Sequence, residues 1–160
     1  MTTDYTNRLI DIEVLQSITK LVGSTSVDFS AVMQQTKVVT GLQKALQRYT
    51  VMLLTLNNDV KFDDNVGSPF IYALRTGRIS SVGHLYHVFN VASNNAIRQL
   101  NIDDNNEDFG TLPDDERIVS AVLLDANIDY AVGAVALTVQ VTTAAGEDYN
   151  YVLPLSTTGD

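Results

Sequence analysis

The sequence predicts an α+β fold, in which N-terminal helices pack with a small C-terminal antiparallel three-stranded sheet that ends in a hairpin. Two observations lead to this prediction. Through much of the first hundred residues apolar side chains recur every three or four positions, as on the buried face of an amphipathic helix. After residue 117 the apolar period changes to two, which is the period of a β-strand.

The first two predicted helices follow from apolar spacing alone. One covers roughly residues 9–22 and the other roughly residues 39–53. In the second helix Lys44, Gln47 and Arg48 fall outside the apolar stripe. Residues 1–38 are therefore interpreted as an N-terminal helical extension, and residues 39–160 as the α+β domain.

Two further helices have sequence signals of their own. Ser68 can cap the free amides of a short helix, Pro69 suits its first position, and Gly77 supplies a left-handed stop. A longer helix with one apolar stripe is predicted over roughly residues 81–100. The acidic and turn-forming residues 101–115 then predict a loop.

The C-terminal third predicts the three strands of the sheet. Residues 118–124 are apolar on both faces, which favours a central strand. Residues 135–142 alternate apolar and polar side chains, and residues 143–146 form a hairpin loop. The returning strand contains the apolar positions of residues 149–153, and Pro154 is expected to end its pairing.

Composition narrows the classes of partner. The 160 residues include 10 basic and 19 acidic side chains, and the formal net charge of −9 repels phosphate, so no nucleic-acid partner is expected. No apolar run approaches the roughly 18–20 residues of a transmembrane helix, and the polar N-terminus lacks the apolar stretch of a signal peptide. We therefore expect a soluble protein made in the cytoplasm, with no membrane partner. The absence of cysteine excludes disulfides and thiolate metal ligands.

A metal or other cofactor is not predicted. His84 and His87 lie three residues apart on the long helix and could reach one ion, but no third ligand completes the site. A role in packing or in a protein interface explains these two histidines better.

A calcium loop is the second alternative. Asp103, Asn105 and Glu107 stand at alternate positions, as calcium ligands do in an EF-hand. That loop requires glycine at its sixth position and glutamate at its twelfth, where this sequence has Asp108 and Asp114. A solvated loop is the favoured interpretation, and a calcium-responsive adaptor stays an alternative.

An enzyme is not predicted. A glycosidase needs two carboxyl groups roughly 5–10 Å apart in a cleft, and Glu13, Glu107, Glu116 and Glu147 are available. None of them has the apolar sequence context that would raise the pKa of a general acid. No nucleophile elbow or glycine-rich phosphate loop is present in the sequence.

Four landmarks follow one another along the chain. They are the Leu-Leu-Thr of residues 53–55 at a helix end, the Phe-Asp-Asp-Asn-Val-Gly-Ser of residues 62–68, the helix of residues 81–100, and the Asp-Glu-Arg-Ile of residues 115–118 at the entrance to the first strand. In this order and spacing they resemble the phage tail baseplate wedge family whose members initiate the contractile sheath, a family often labelled lysozyme-like. The resemblance covers roughly residues 42–155, and residues 101–114 look like an insertion in it.

This resemblance implies a non-catalytic structural subunit of a contractile tail baseplate. Its expected partners are other wedge proteins and the sheath and tube or hub proteins, and its expected location is the virion, after synthesis in the host cytoplasm. The family uses its Glu-Pro-Arg motif to contact the helical bundle of its wedge partners. The resemblance implies the same contact for the altered motif of Asp115, Glu116 and Arg117.

The terminal hairpin is the second expected contact. A strand from a partner can pair with the outer edge of residues 147–155, with alternate side chains setting the register. The predicted interaction residues there are Tyr149, Tyr151 and Leu153. The alternatives are an adaptor between wedge and hub in a tail without sheath initiation, and a peptidoglycan hydrolase.

Overall fold

The computed structural model describes residues 11–12, 16–21, 24–28, 38–56, 67–106, 112–129 and 133–156. The elements in these ranges are β1 (Asp11–Ile12), β2 (Gln16–Leu21), β3 (Ser24–Asp28), β4 (Val38–Val39), α1 (Gly41–Leu54), α2 (Phe70–Arg75), α3 (Val82–Asn106), a 3-10 turn (Asp114–Glu116), β5 (Ile118–Asp129), β6 (Ala134–Thr143) and β7 (Asp148–Ser156). Helices precede a C-terminal antiparallel meander of β5, β6 and β7, so the predicted α+β class is confirmed.

The sheet contains two more strands than the sequence predicts. Its order is β2-β3-β7-β6-β5, and β1 pairs separately with β4. The ladder between β6 and β7 is antiparallel and runs without interruption from Ala134↔Ser156 to Thr142↔Asp148. Pro154 was expected to end this pairing, which is wrong, because it pairs with Ala136 and the strand continues to Ser156. A proline is tolerated in a ladder where its missing N–H is not required.

The helix predicted over residues 9–22 is wrong. Residues 16–21 form β2, which is joined to β3 in an antiparallel hairpin, and β3 pairs in parallel with β7. The apolar spacing of three and four is present, but Ile18 and Thr19 are β-branched and favour an extended backbone where a partner strand is available. Residues 1–38 are therefore not a helical extension in their described part, since β3 belongs to the sheet of the domain.

The strand that starts at Ile118 lies at one end of the sheet order, so its predicted central position is wrong. Ala121 and Leu123 are buried on the helix-covered face, whereas Val119, Val122 and Leu124 are 51%, 49% and 45% exposed. The apolar composition of both faces was the basis of the prediction. In β5 one of these apolar faces is instead left open to solvent.

The three helices cover one face of the meander and enclose a continuous core. Phe70 of α2 meets Phe89 of α3 edge-to-face, with ring centroids 5.7 Å apart. Alternate residues of β6 point into this core, as the period of two predicts. The largest fully buried side chains are Tyr49, Tyr151, Phe70, Phe89, Leu46, Leu53, Leu85, Leu137, Leu153, Val135 and Val139.

Helices α1 and α3 each depart from prediction at one point. The side chains of Lys44 and Gln47 are buried, although their positions lie outside the apolar stripe of α1. Helix α3 continues to Asn106, six residues into the predicted loop. The salt bridge between Arg48 of α1 and Asp104 of α3, at 2.5 Å, holds this extension against the first helix.

The start of α2 is fixed by a close backbone approach. Gly67 has φ of +105°, and a Cβ at this position would lie 2.7 Å from the carbonyl oxygens of Thr55 and Leu56. The hydroxyl of Ser68 donates to the carbonyl of Leu53 at 2.5 Å and accepts the amide of Phe70 at 3.2 Å. Ser68 thus binds the first amide of α2, as predicted, but Pro69 precedes the helix instead of occupying its first position. Gly77 has the predicted left-handed conformation.

Candidate interaction surface

Glu116 is an internal connection between the sheet and α1. Its side chain is almost fully buried, with 2% of the residue exposed. One carboxylate oxygen accepts the amide of Gly41, at the start of α1, at 2.8 Å. The other forms a salt bridge with Lys44, one turn further, at 3.2 Å. The prediction that Glu116 faces a partner protein is wrong, because its carboxylate satisfies a free helix amide and a buried ammonium group.

The other two residues of the altered motif lie nearer to solvent, at one end of the sheet. Asp115 is partly exposed, and Arg117 forms a salt bridge with Asp114 at 2.8 Å. The 3-10 turn meets the β6–β7 turn here, because the amide of Ala144 donates to the carbonyl of Arg117 and that of Ala145 to the carbonyl of Asp114. The fold therefore brings the motif against the tip of the terminal hairpin.

Tyr149 completes this end of the sheet. Its hydroxyl donates to the carboxylate of Glu147. This hydrogen bond, followed by partial burial and the negative charges of Glu147 and Asp115, raises the pKa of Tyr149 above its ordinary value of 10.0. We call Asp114, Asp115, Arg117, Glu147 and Tyr149 the sheet-end cluster, which unites three of the six predicted interaction residues.

The remaining two predicted interaction residues belong to the core. Tyr151 and Leu153 are fully buried beneath the helices, so neither side chain can contact a partner protein in this conformation. Burial raises the pKa of Tyr151 well above the ordinary value of 10.0. The sequence was interpreted with the wrong face of β7 outward, because period two fixes which residues share a face but not which face is buried.

The outer edge of β7 was predicted to be open, and it carries β3. The ladder places Thr25 opposite Tyr151 and Ser26 opposite Val152, in parallel orientation. This ladder is short in comparison with the uninterrupted ladder on the other side of β7. The edge predicted to receive a partner strand is therefore held by the chain itself along part of its length.

Side chains of α3 also bond the backbone of β5. The hydroxyl of Tyr86 donates to the carbonyl of Leu124 at 3.1 Å, and the hydroxyl of Ser93 donates to the carbonyl of Ala121 at 3.4 Å. Ser93 is fully buried and also bonds the hydroxyl of Tyr49 at 2.7 Å.

Three residues that connect the helices to the sheet region were missed in the sequence. Lys44 lay on the polar side of a helical pattern, and Ser93 and Tyr86 lay among ordinary helix positions. Only the packing of α1 and α3 assigns them buried positions or hydrogen bonds to the backbone of β5. Lys44 has one signal in the sequence, its place one turn after a helix start. The start of a helix favours an anion, and a carboxylate bound there also comes within reach of the Lys44 ammonium group.

The candidate metal ligands make other contacts. The ring of His84 lies 3.4 Å from the hydroxyl of Ser80. Asp103 accepts a hydrogen bond from Gln99 at 2.9 Å within α3. Glu13 and Glu107, two of the candidate catalytic acids, lie outside the described residues. Among the residues that the structure describes, no group of three or more His, Asp or Glu side chains is arranged to hold a metal ion.

No protein-family model, curated protein or solved structure shows a significant match to this chain. Among the described helices, none has the length and apolar character needed to cross a membrane.

Proposed function

We propose that this chain is a structural subunit of a phage-type contractile tail baseplate, joining the wedge to the sheath and initiating sheath assembly. The observation that carries the proposal is the order of the four sequence landmarks over residues 42–155. The element order of α1, α2, α3 and a terminal antiparallel meander agrees with that order of landmarks.

Two surfaces support a role in assembly. The sheet-end cluster gathers charged side chains and an aromatic ring at the tip of the hairpin. The exposed face of β5 adds Val119, Val122 and Leu124, three large apolar residues on one strand. Apolar residues grouped on an otherwise acidic protein are typical of a surface that meets another protein.

The proposed partner contact at the hairpin is strand addition along the outer edge of β7, of which β3 occupies part. Main-chain hydrogen bonds would supply the affinity, and the side chains of the sheet-end cluster would fix the register. The proposed partners in this contact are other wedge proteins and the sheath and tube or hub proteins.

The first test is genetic. Tails assembled without this chain are expected to lack sheath while the baseplate and tube remain, as seen by negative-stain microscopy. Normal sheathed tails would overturn the proposal. Loss of the wedge-to-hub connection with sheath unaffected would favour the adaptor alternative, and lysis in a zymogram with the purified chain would favour the hydrolase.

The second test uses a surface substitution. Removing residues 147–160 would also remove Tyr151 and Leu153 from the core, so failure of that variant would reflect misfolding. Arg117→Glu instead reverses a charge in the sheet-end cluster, and we expect incorporation into tails to fall about tenfold, the effect of about 1.4 kcal/mol at an interface. Arg75→Glu, an exposed change on α2, is the matched control and should be incorporated normally.

A further inference from the structure

Strand β7 pairs with two neighbouring strands, and one of these ladders is much longer than the other. On one side β6 pairs with it from Ala134↔Ser156 to Thr142↔Asp148, in antiparallel register. On the other side β3 pairs with it at Thr25↔Tyr151 and Ser26↔Val152, in parallel register. Parallel pairing is slightly less stable for each residue, so the β3 ladder is the weaker of the two.

The position of β7 does not depend on β3. Tyr151 and Leu153 are fully buried under the helices, and the uninterrupted ladder to β6 fixes the strand along its length. The β3 sequence Ser24–Asp28 contains four polar residues and a single valine, so it lacks the apolar alternation that specifies a register strongly. Release of β3 would thus expose the edge of β7 while leaving the core in place.

From these contacts we infer that the β2–β3 hairpin is a displaceable strand of the chain itself, which occupies the β7 edge until an extended segment of another tail protein replaces it. The inference rests on the proposed function and adds a device that regulates when a partner strand can bind to β7. In the free protein an open edge would invite unselective pairing, and the hairpin prevents this. Replacement couples opening of the edge to arrival of the partner.

The charge on β7 indicates the chemistry of that segment. Glu147 and Asp148 are exposed where the strand begins, and the chain carries a net charge of −9. The replacing segment is expected to carry Lys or Arg where it passes these two residues. Opposite charges at neighbouring strand positions stabilise pairing, whereas like charges oppose it.

A reversible clamp tests the inference. The chain has no cysteine, so Ser26→Cys with Val152→Cys introduces one possible disulfide between registered neighbours. Adjacent strands lie about 4.8 Å apart, which suits disulfide formation. The matched control is Gln140→Cys with Asn150→Cys, which links β6 to β7 and leaves the β3 edge free.

Hydrogen exchange on the full chain gives the first measurement. In wild type and in the reduced clamp, the amides of residues 24–28 should exchange at least about tenfold faster than those of the β6–β7 ladder, because local opening releases only the β2–β3 hairpin. Oxidation of the clamp should slow them, and oxidation of the control pair should not. Equal protection of β3 and β6 in the wild type would overturn the inference.

Incorporation into tails assembled without the chain gives the second measurement. The oxidised clamp should be incorporated at least about tenfold less than the same variant after reduction, while the control pair is incorporated equally in both states. Equal incorporation of the oxidised and reduced clamp would overturn displacement and leave the baseplate role standing. If wild type is also not incorporated, the baseplate role fails, and hydrogen exchange alone then decides whether β3 is displaceable.

Discussion

At the scale of single residues, Glu116 shows how one side chain can connect distant segments. It is 75 positions from Gly41 in sequence, yet its carboxylate bonds the Gly41 amide and the Lys44 ammonium group. Both charges are buried, with 2% of Glu116 and 6% of Lys44 exposed. The pair is therefore costly to break, because removal of one partner leaves the other charge buried without this salt bridge.

We predict that Glu116→Ala lowers the free energy of unfolding by about 3–5 kcal/mol, since it leaves Lys44 buried without its carboxylate. Urea denaturation followed by circular dichroism measures the change. Asp115→Ala, at the adjacent and partly exposed position, should change stability by less than about 1 kcal/mol. Similar losses in the two variants would contradict the role given to Glu116.

Gly67 provides a second prediction at this scale. Gly67→Ala combines a positive φ with a Cβ only 2.7 Å from two backbone carbonyl oxygens, so we expect a loss of more than about 1 kcal/mol in unfolding free energy. Gly83→Ala is the control, because its Cβ meets nothing within 4 Å and it lies in α3. Thermal denaturation should show stabilisation by up to about 1 kcal/mol for Gly83→Ala. Equal effects would exclude the proposed clash.

At the scale of elements, α3 is held near its middle and at its C-terminal end by different means. Phe89 and Ser93 lie buried near its middle, whereas its last described turns contact α1 through Arg48 and Asp104. The extension to Asn106 was missed in the sequence because residues 101–106 are mostly Asn and Asp, which are poor helix formers. The contact with α1 overrides that local preference.

Arg48→Met should therefore loosen the end of α3 specifically. We expect amides of residues 101–106 to exchange about threefold to tenfold faster, with global unfolding free energy reduced by about 1 kcal/mol or less, because the pair is partly exposed. Arg98→Met removes an exposed arginine from the same helix and should leave those amides unchanged. Uniform acceleration along α3 would contradict a local role for the salt bridge.

At the scale of the whole molecule, two buried phenols couple stability to alkaline pH. Burial raises the pKa of Tyr49 and of Tyr151 above the ordinary value of 10.0, and for Tyr49 this outweighs the lowering effect of its hydrogen bond to Ser93. Below about pH 10 both groups are protonated in the folded and unfolded chains, and their contribution is constant. Above that pH the unfolded chain ionises first, so stability is lost as pH rises towards the folded pKa values.

We predict that the unfolding free energy falls above pH 10 by up to about 1.4 kcal/mol for each pH unit and each buried phenol. Urea titrations between pH 8 and pH 11 measure the slope. Tyr151→Phe removes one phenol and should make the slope shallower by that amount, while Tyr72→Phe, an exposed tyrosine on α2, should retain the full slope. An unchanged slope in Tyr151→Phe would contradict burial of its hydroxyl.

The sequence by itself determined the elements that have strong local patterns. The stripe of α1, the cap and stop of α2, the start of α3 and the alternation along β6 were all predicted from neighbours within a few residues. It also predicted the α+β class, because the change of period from helical to extended is visible without any knowledge of packing.

Only the tertiary structure decided which strands lie at the sheet edges and which of the predicted interaction residues are exposed. Residues 16–21 and 24–28 became strands because β7 offers a ladder to β3 and β3 offers one to β2, which no local pattern could reveal. Glu116, Tyr151 and Leu153 turned inward, and Asp115, Arg117 and Tyr149 met at the sheet end. The physical reason is that burial and strand order depend on contacts between distant residues, whereas sequence periodicity specifies only which side chains share a face.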